Sequence, residues 1–337
     1  MMRENTIREG AVDSGTVRDP GGPWAVAVIV TLHLVGWGLL LAAVIPSGIT
    51  YDSTGPAALA VGVSAYALGL RHAFDADHIA AIDNTTRRFV DRGKPASTVG
   101  LWFSLGHSSV VFLLCLALVV GLGALGRAVT DNDSSLHEVT GVWGPLVSSV
   151  FLLVIAAVNL RSLGSSDSAP GGLVWPVVRR FERAVDRPTR MYAVGFAFGF
   201  GFDTATEIGL LALAGSATLG AVPWWAVLTL PALFAAGMSL LDTVQGAVMR
   251  RAYSFSPGGP GTSLMSYRAL MTGVSAAVAS FIAIVQLSSL ANEQWGWAGP
   301  FAWLGGADLE RLGFAMTGFL LAVWAAVSVV SRRRAMS

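Results

Sequence analysis

The chain has 337 residues, of which 53% are hydrophobic and only 13% are charged, about half the charged share of a typical soluble domain. Its apolar residues form long blocks instead of amphipathic stripes, and this pattern argues against a soluble globular protein. The net charge of +1 says nothing about partners, and no other feature of the sequence indicates a nucleic-acid partner. The single cysteine, Cys115, excludes both an intrachain disulfide and a thiolate metal cluster.

Eight apolar blocks are each long enough to cross a bilayer, which takes about 20 residues. They predict an all-α, polytopic integral membrane protein with about eight transmembrane helices, over residues 24–45, 57–82, 98–122, 141–161, 191–213, 223–248, 268–290 and 312–330. The prediction divides the chain into an N-terminal tail without the features of a cleavable signal (1–23), a transmembrane domain (24–330) and a basic C-terminal tail (331–337).

Lysine and arginine are distributed unevenly between the predicted spans. All but three of the 22 lie in the tails or in alternate loops, and the exceptions are Arg71, Arg127 and Arg311. Because a Lys/Arg bias in short loops sets orientation, the side rich in these residues is predicted to be cytoplasmic. With eight spans, both termini are then expected inside the cell.

The second predicted span carries a dense polar cluster, RHAFDADHI (71–79). Each ionisable group inside a membrane costs roughly 2.5–3.5 kcal/mol, so a cluster needs a compensating reason. Imidazole and carboxylate together suit borderline divalent cations, which makes His72, Asp75, Asp77 and His78 candidate metal ligands. Asp77 falls on a different helical face, so either these groups divide between ligands and supporting residues or the helix is broken here. The alternative is a span end solvated at the interface.

Arg71 adjoins this cluster but is interpreted as charge balance, because a guanidinium stays protonated and cannot coordinate a metal.

The fifth predicted span carries Asp203 and Glu207, four residues apart on one helical face, with Thr204 and Thr206 beside them. The flanking sequence is apolar on both sides, which argues against an interfacial location. Asp203 and Glu207 are therefore predicted to line the metal path as ligands or as a proton-coupled pair, with a purely structural role as the alternative.

Four further polar residues within spans are candidates for the transport path or for support of the ligands: His33, His107, Asp242 and Gln245. A lone histidine in a span is as often a hydrogen-bonded packing residue. For Asp242, hydrogen bonds to neighbouring Ser and Thr side chains are the alternative.

A weak internal repeat links the second and fifth spans, FDADHI (74–79) and FDTATEI (202–208). By the charge distribution these spans run in opposite directions. Spans two to four and five to seven are therefore candidates for inverted three-helix repeats, a known transporter design with the binding site near the midplane.

Four motifs resemble those of the nickel/cobalt transporter family of bacterial membrane permeases. RHAFDADHI resembles the signature of its second span, and the other three motifs follow in the same order: FSLGH (103–107), FGFDTATEI (200–208) and GMSLLDT (237–243). The resemblance implies secondary active uptake of Ni²⁺ or Co²⁺, with the metal as transported substrate and no separate cofactor.

By this resemblance His72, Asp77 and His78 are essential metal residues, and Asp203, Thr204 and Glu207 belong to the second motif. Gln245 departs from the acidic residue common near that position. The alternatives that stay open are a transporter, for uptake or export, of another divalent metal, and remotely a membrane acyltransferase using His72 and Asp77. The preference between Ni²⁺ and Co²⁺, the coupling ion, the coordinating histidine nitrogens and the oligomeric state are also open at this stage.

Overall fold

The computed structural model describes most of the transmembrane part of the chain. The described residues are 21–51, 57–120, 135–161, 180, 185–201, 205–219, 222–254, 263–296, 299–306, 311–319, 322 and 325. Most of the predicted N-terminal tail, the C-terminal tail and the second half of the predicted eighth span lie outside them. Within the described residues the regular elements are helical, with no β-strand.

The helices follow one another in this order: α1 Gly21–Leu39, which continues through a π-helical turn at Leu40–Val44; α2 Ala58–His72; α3 Ala76–Asp91; α4 Val99–Val119; α5 Ser135–Arg161; α6 Met191–Phe198; α7 Ala205–Leu219; α8 Trp224–Val227; α9 Thr229–Tyr253; α10 Ser263–Trp295; α11 Pro300–Gly305; and α12 over 311–319.

Five helical segments in the described part of the chain are long and apolar enough to cross a membrane: Gly21–Val44, Val99–Val119, Val139–Arg161, Trp224–Tyr253 and Ala269–Trp295. They coincide with predicted spans one, three, four, six and seven. Large apolar side chains on the outer faces are exposed, as expected where a helix meets lipid; Leu34, Val63 and Phe281 are examples. The all-α, polytopic membrane class is confirmed.

The second and fifth predicted spans are both interrupted helices. In the second, α2 ends at His72 and α3 begins at Ala76, with Asp75 in extended conformation between them. Of the two alternatives that the sequence left open for this span, the structure therefore shows the broken helix. The fifth is interrupted in the same way, because α6 ends at Phe198 and α7 begins at Ala205.

The helices α4 and α9 pack closely and run antiparallel. Gly100 near the start of α4 lies against the backbone of Asp242, so close that a Cβ would overlap the Asp242 carbonyl. One turn further along α4, the Ser104 hydroxyl donates to Oγ of Ser239, which precedes Asp242 on α9 (3.0 Å). Residue numbers therefore increase along α4 where they decrease along α9, so the two helices are antiparallel.

The contact of α2 with α9 repeats the contact of α6 with α4. Gly69 lies against the backbone of Phe234, and Gly195 lies against the backbone of Phe103. The two glycines end matching segments, YALG (66–69) and YAVG (192–195). Small residues at these positions let the helix backbones approach closely.

The two matching contacts relate two halves of the transmembrane domain. The first half comprises α2 with α3, α4 and α5, and the second comprises α6 with α7, α9 and α10. Because α4 and α9 are equivalent in this pairing and run antiparallel, the halves are inverted relative to one another. The structure pairs Tyr66 with Tyr192 across the two halves, in the helices that precede the segments from which the sequence predicted the repeat. Phe202, at the start of the second of those segments, lies outside the described residues.

Candidate metal centre

Three histidines from three helices converge in the middle of the domain. His72 ends α2, His78 lies in the first turn of α3 and His107 lies midway along α4. One ring nitrogen from each lies within 4.8 Å of the others, and all three side chains are buried. No other group of this kind occurs among the described residues.

The broken second span is what brings His72 and His78 together. On a continuous helix the two side chains would project about 120° apart. Here α2 stops at His72, and the chain turns through Asp75 before α3 begins at Ala76. As a result the two imidazole rings lie with centroids 4.6 Å apart.

Glu207 joins the histidines from the opposite half of the domain. It lies in the first turn of α7 and is fully buried. Its Oε1 is 2.6 Å from Nε2 of His107 and 3.7 Å from Nε2 of His72. The two Nε2 atoms are themselves 2.9 Å apart. We refer to His72, His78, His107 and Glu207 as the donor cluster.

The separations within the donor cluster suit a dication. Two imidazole nitrogens and a carboxylate oxygen this close must share a proton or a cation, because their lone pairs otherwise repel. Adjacent ligands of an octahedral ion with bonds of about 2.1 Å lie about 3 Å apart. Imidazole with carboxylate is a donor set that fits Ni²⁺, Co²⁺ and Zn²⁺.

Asp75 supports the donor cluster through His72. Its Oδ2 lies 2.8 Å from Nδ1 of His72, on the side of the ring opposite the converging Nε2. A carboxylate at this position fixes the tautomer and orientation of a metal-binding imidazole and raises its basicity. The structure therefore places Asp75 behind a candidate ligand, and Nε2 is the nitrogen that His72 and His107 turn toward the centre.

Asp77 faces a different set of partners. Its Oδ1 accepts a hydrogen bond from the backbone N–H of His78 (2.9 Å), and its Oδ2 accepts one from Nε2 of Gln286 on α10 (3.1 Å). Asp77 is not part of the converging histidine group. Because the helix is broken between His72 and Ala76, this separation does not follow from the faces of one continuous helix.

Aromatic rings surround the donor cluster. Phe103 packs edge-on against His78, with centroids 4.8 Å apart, and Phe234 packs against His72 at 5.6 Å. Phe103 and Phe234 occupy equivalent positions on α4 and α9 in the internal repeat. Apolar walls of this kind exclude water and strengthen electrostatic interactions inside the site.

Two of the other candidate residues lie away from the centre. His33 has Nδ1 2.8 Å from the carbonyl oxygen of Ile29 and Nε2 3.1 Å from the hydroxyl of Tyr66, so both ring nitrogens have partners outside the donor cluster. Arg71 is exposed, while the adjacent His72 is buried.

Asp242 is fully buried on α9, and neither of its carboxylate oxygens has a hydrogen-bond partner among the described residues. Gln245, one turn later, is half-buried. Asp203 and Thr204 lie outside the described residues. Thr206 belongs to α7, but its side chain is likewise outside them.

Two participants were underestimated or missed from the sequence. His107 was predicted only as a path or supporting residue, whereas the structure places it at the centre. The signal for it was a histidine directly after Gly106 in FSLGH, where a close helix approach brings the imidazole inward. Gln286 was not predicted, because a glutamine in an apolar block gives no indication of a partner about 200 residues earlier in the chain.

Comparison with known proteins places the chain in a group of metal transporters. The family model described as high-affinity nickel-transport protein (NicO) matches residues 58–330. The nickel transporter NicT of Mycobacterium tuberculosis is 44% identical, over 90% of this chain and 87% of its own length. The nickel transporter NixA of Staphylococcus aureus is 35% identical, over 90% and 92%. The cobalt transport protein NhlF of Rhodococcus rhodochrous is 36% identical, over 90% and 93%. No solved structure matches the chain.

Proposed function

The chain belongs to the NicO family of high-affinity nickel-transport proteins, and on this premise we propose that it carries Ni²⁺ or Co²⁺ across the cytoplasmic membrane into the cell by secondary active transport. The metal is the transported substrate and not a resident cofactor, and the protein is proposed to have no enzymatic activity.

The observation that carries this proposal is the convergence of His72, His107 and Glu207. The Nε2 atoms of His72 and His107 are 2.9 Å apart, and Oε1 of Glu207 is 2.6 Å from Nε2 of His107. Several lone pairs therefore face one another in a buried place. Inside a membrane such an arrangement is costly unless a positive ion compensates it. A divalent cation with nitrogen and oxygen ligands provides that compensation.

In the proposed mechanism the histidines of the donor cluster bind the metal as neutral imidazoles, and Glu207 supplies negative charge. Asp75 holds His72 with Nε2 facing the ion. His72 and His78 come from the first half of the domain and Glu207 from the second, so the ion lies between the inverted halves. Rocking of one half against the other would expose the site to each side of the membrane in turn.

The remaining motif residues are proposed to guide the ion to and from the donor cluster. Asp77 lies beside His78 and adds negative charge at the start of α3. Asp203 and Thr204, which precede α7, and Thr206 are assigned to the path on the family motif alone. Asp242 and Gln245 on α9 are assigned to the path as buried polar residues of a span.

The proposed location is the inner membrane of a bacterium, with both termini in the cytoplasm. The support is the concentration of arginine and lysine in the tails and alternate loops. Because the potential binding groups are inside the helix bundle, the proposed partners are the metal ion and the lipid bilayer, with no nucleic acid.

Two alternatives are distinguishable. The acyltransferase hypothesis requires a hydrogen-bonded pair of His72 and Asp77. Instead, Nδ1 of His72 lies against the Asp75 carboxylate, and the Asp77 carboxylate accepts a hydrogen bond from Gln286. A transporter for another divalent metal, or an exporter, would use the same donor residues. Transport measurements distinguish these two alternatives from the proposal.

The test is uptake by the purified protein in liposomes with an imposed pH gradient. We expect ⁶³Ni²⁺ or ⁵⁷Co²⁺ to accumulate, and excess Ni²⁺ or Co²⁺ to compete better than Zn²⁺ or Mn²⁺. His72→Ala and His78→Ala proteins should insert normally and accumulate no metal. Unimpaired accumulation by both variants would refute their assigned roles, and stronger competition by Zn²⁺ or Mn²⁺ would favour the other-metal alternative.

A further inference from the structure

Gln286 on α10 is a buried amide with its hydrogen-bonding groups in use on both sides. Its Nε2 donates to Oδ2 of Asp77 on α3 (3.1 Å). Its Oε1 accepts from the hydroxyls of Ser148 (2.6 Å) and Ser149 (3.1 Å) on α5. The side chain is only 4% exposed, so these bonds are shielded from water and each is costly to lose.

The chemistry of the partners fixes which way the amide points. An ionised carboxylate only accepts hydrogen bonds, so the amide nitrogen must face Asp77. The amide oxygen then faces α5, where both serine hydroxyls donate to it. Exchanging the two ends of the amide would place two acceptors against each other at Asp77. Asp77 therefore sets the direction of the amide, and the two serines hold its oxygen in place.

The consequence is a fixed carboxylate at the start of α3. One oxygen of Asp77 accepts from the backbone N–H of His78 and the other from Gln286. Both oxygens are thus held next to a histidine of the donor cluster. The bond to Gln286 also crosses between the halves of the domain, because α10 belongs to the second half while α3 and α5 belong to the first.

We propose that Gln286 is a positioning residue for metal transport, which holds the Asp77 carboxylate beside His78 through an amide whose oxygen is anchored by Ser148 and Ser149. The inference rests on the proposed function. It assigns a role to three residues outside the four family-like motifs. It also means that the contact between α3, α5 and α10 supports the metal site and does not serve packing alone.

The first arm of the test is equilibrium binding of ⁶³Ni²⁺ to the purified full-length protein and its Gln286→Leu variant, with initial uptake rates in liposomes. Leucine has similar volume but cannot donate to Asp77. We expect Ni²⁺ affinity to fall about tenfold, which matches the loss of one hydrogen bond to a charged group. The uptake rate at saturating Ni²⁺ should fall much less. Ser280→Ala is the control, because Ser280 lies on the same helix and, among the described residues, its hydroxyl donates only to the carbonyl of Ala276 in its own helix.

The second arm separates positioning from packing. A Ser148→Ala/Ser149→Ala protein keeps Gln286 but removes both hydroxyls that anchor its amide oxygen. The side chain is then held less firmly against Asp77, and we expect about a threefold loss of Ni²⁺ affinity. Because the serines act through Gln286, adding both changes to Gln286→Leu should cause no further loss. The thermal midpoints of the metal-free proteins report packing, and we expect the affinity changes not to follow them.

Wild-type affinity in Gln286→Leu would overturn the inference, and so would losses that add fully in the triple variant or that simply follow the thermal midpoint. If Gln286→Leu does not fold, the Ser148→Ala/Ser149→Ala protein provides the test by itself. An unchanged Ni²⁺ affinity of that protein would then overturn the inference. A wild-type protein that neither binds nor transports Ni²⁺ or Co²⁺ would instead contradict the proposed function itself.

Discussion

Two imidazole nitrogens and one carboxylate oxygen, all buried, meet where three helices of one half of the domain face the second half. His107 is the residue common to the shortest of these contacts, at 2.9 Å from His72 and 2.6 Å from Glu207. His107 is therefore the donor that lies closest to both of the others.

His107→Ala should lower the affinity for Ni²⁺ by about 100-fold or more, because loss of a ligand costs at least as much as loss of the groups that support ligands. Equilibrium binding of ⁶³Ni²⁺ to the purified protein measures it. Tyr192→Phe is the matched control at the same helix contact, since it removes only the hydrogen bond from Tyr192 to Ser109. Equal affinities for the two variants would remove His107 from the site.

Metal binding should release protons, because imidazole ligates only in its neutral form. Free imidazole side chains have a pKa of about 6.5, so Ni²⁺ affinity should fall as the pH is lowered from about 7 to about 5.5. Titration calorimetry in two buffers of different ionisation enthalpy counts the protons released. An affinity that is constant over this range, with no proton release, would contradict histidine ligation.

At the residue scale the sequence predicted the chemistry better than the geometry. The polar cluster RHAFDADHI indicated His72 and His78 as candidate ligands, and the structure brings their rings together. Helical spacing could not place Asp77 relative to His72, because the helix is broken between them. The centrality of His107 was not predictable, because it depends on the approach of α4 to two helices that are distant in the chain. The pairing of Asp77 with Gln286 was invisible for the same reason.

At the scale of single elements, the interrupted helices position the donors. The break after His72 turns two side chains of one span toward a single point, and the break before α7 places Glu207 at a helix start. Hydropathy predicted both spans but could not locate either break, because it averages over about 19 residues. The matching Tyr–Gly spacing of α2 and α6 was missed, because the prediction started from the polar segments that follow these two helices.

The helix contacts at glycine should be intolerant of a methyl group. A Cβ at Gly106 would overlap the backbone carbonyl of Tyr192, and a backbone cannot move aside as a side chain can. We expect Gly106→Ala to destabilise the fold by about 2 kcal/mol or more, on the scale of overpacking in a core. In contrast, Gly215 lies in α7 with open space around it, and Gly215→Ala should be neutral or stabilise by up to about 1 kcal/mol.

Thermal unfolding of the two purified glycine variants in detergent measures the difference. The Gly106→Ala protein should have the lower midpoint and the Gly215→Ala protein a midpoint at or above that of the wild type. The reverse order would show that the close α4–α6 contact is not required.

At the scale of the whole molecule, inverted halves place the site between two units that are able to move. The all-α membrane class followed from composition, and the inverted relation of the two halves was anticipated from the charge distribution. The contacts that establish it, such as Gly69 with Phe234, required the folded chain, because small residues are common in membrane helices and carry little information singly.

Labelling of introduced cysteines tests the orientation in the membrane. The single native cysteine, Cys115, is fully buried and should not react with the label. Ser47 lies between α1 and α2 and Arg92 between α3 and α4; both are exposed, and one interrupted span separates them. We expect a membrane-impermeant maleimide to label Ser47→Cys in intact cells and Arg92→Cys only after permeabilisation. The opposite pattern would reverse the proposed topology.

The most direct test of the donor cluster is X-ray absorption at the nickel edge of the purified, Ni²⁺-loaded protein. The structure predicts a shell of nitrogen and oxygen at about 2.1 Å, with the scattering pattern of about three imidazoles and no sulfur. The His107→Ala protein, loaded at saturating Ni²⁺, should show one imidazole fewer. A nickel shell without imidazole, or one that His107→Ala leaves unchanged, would contradict the account.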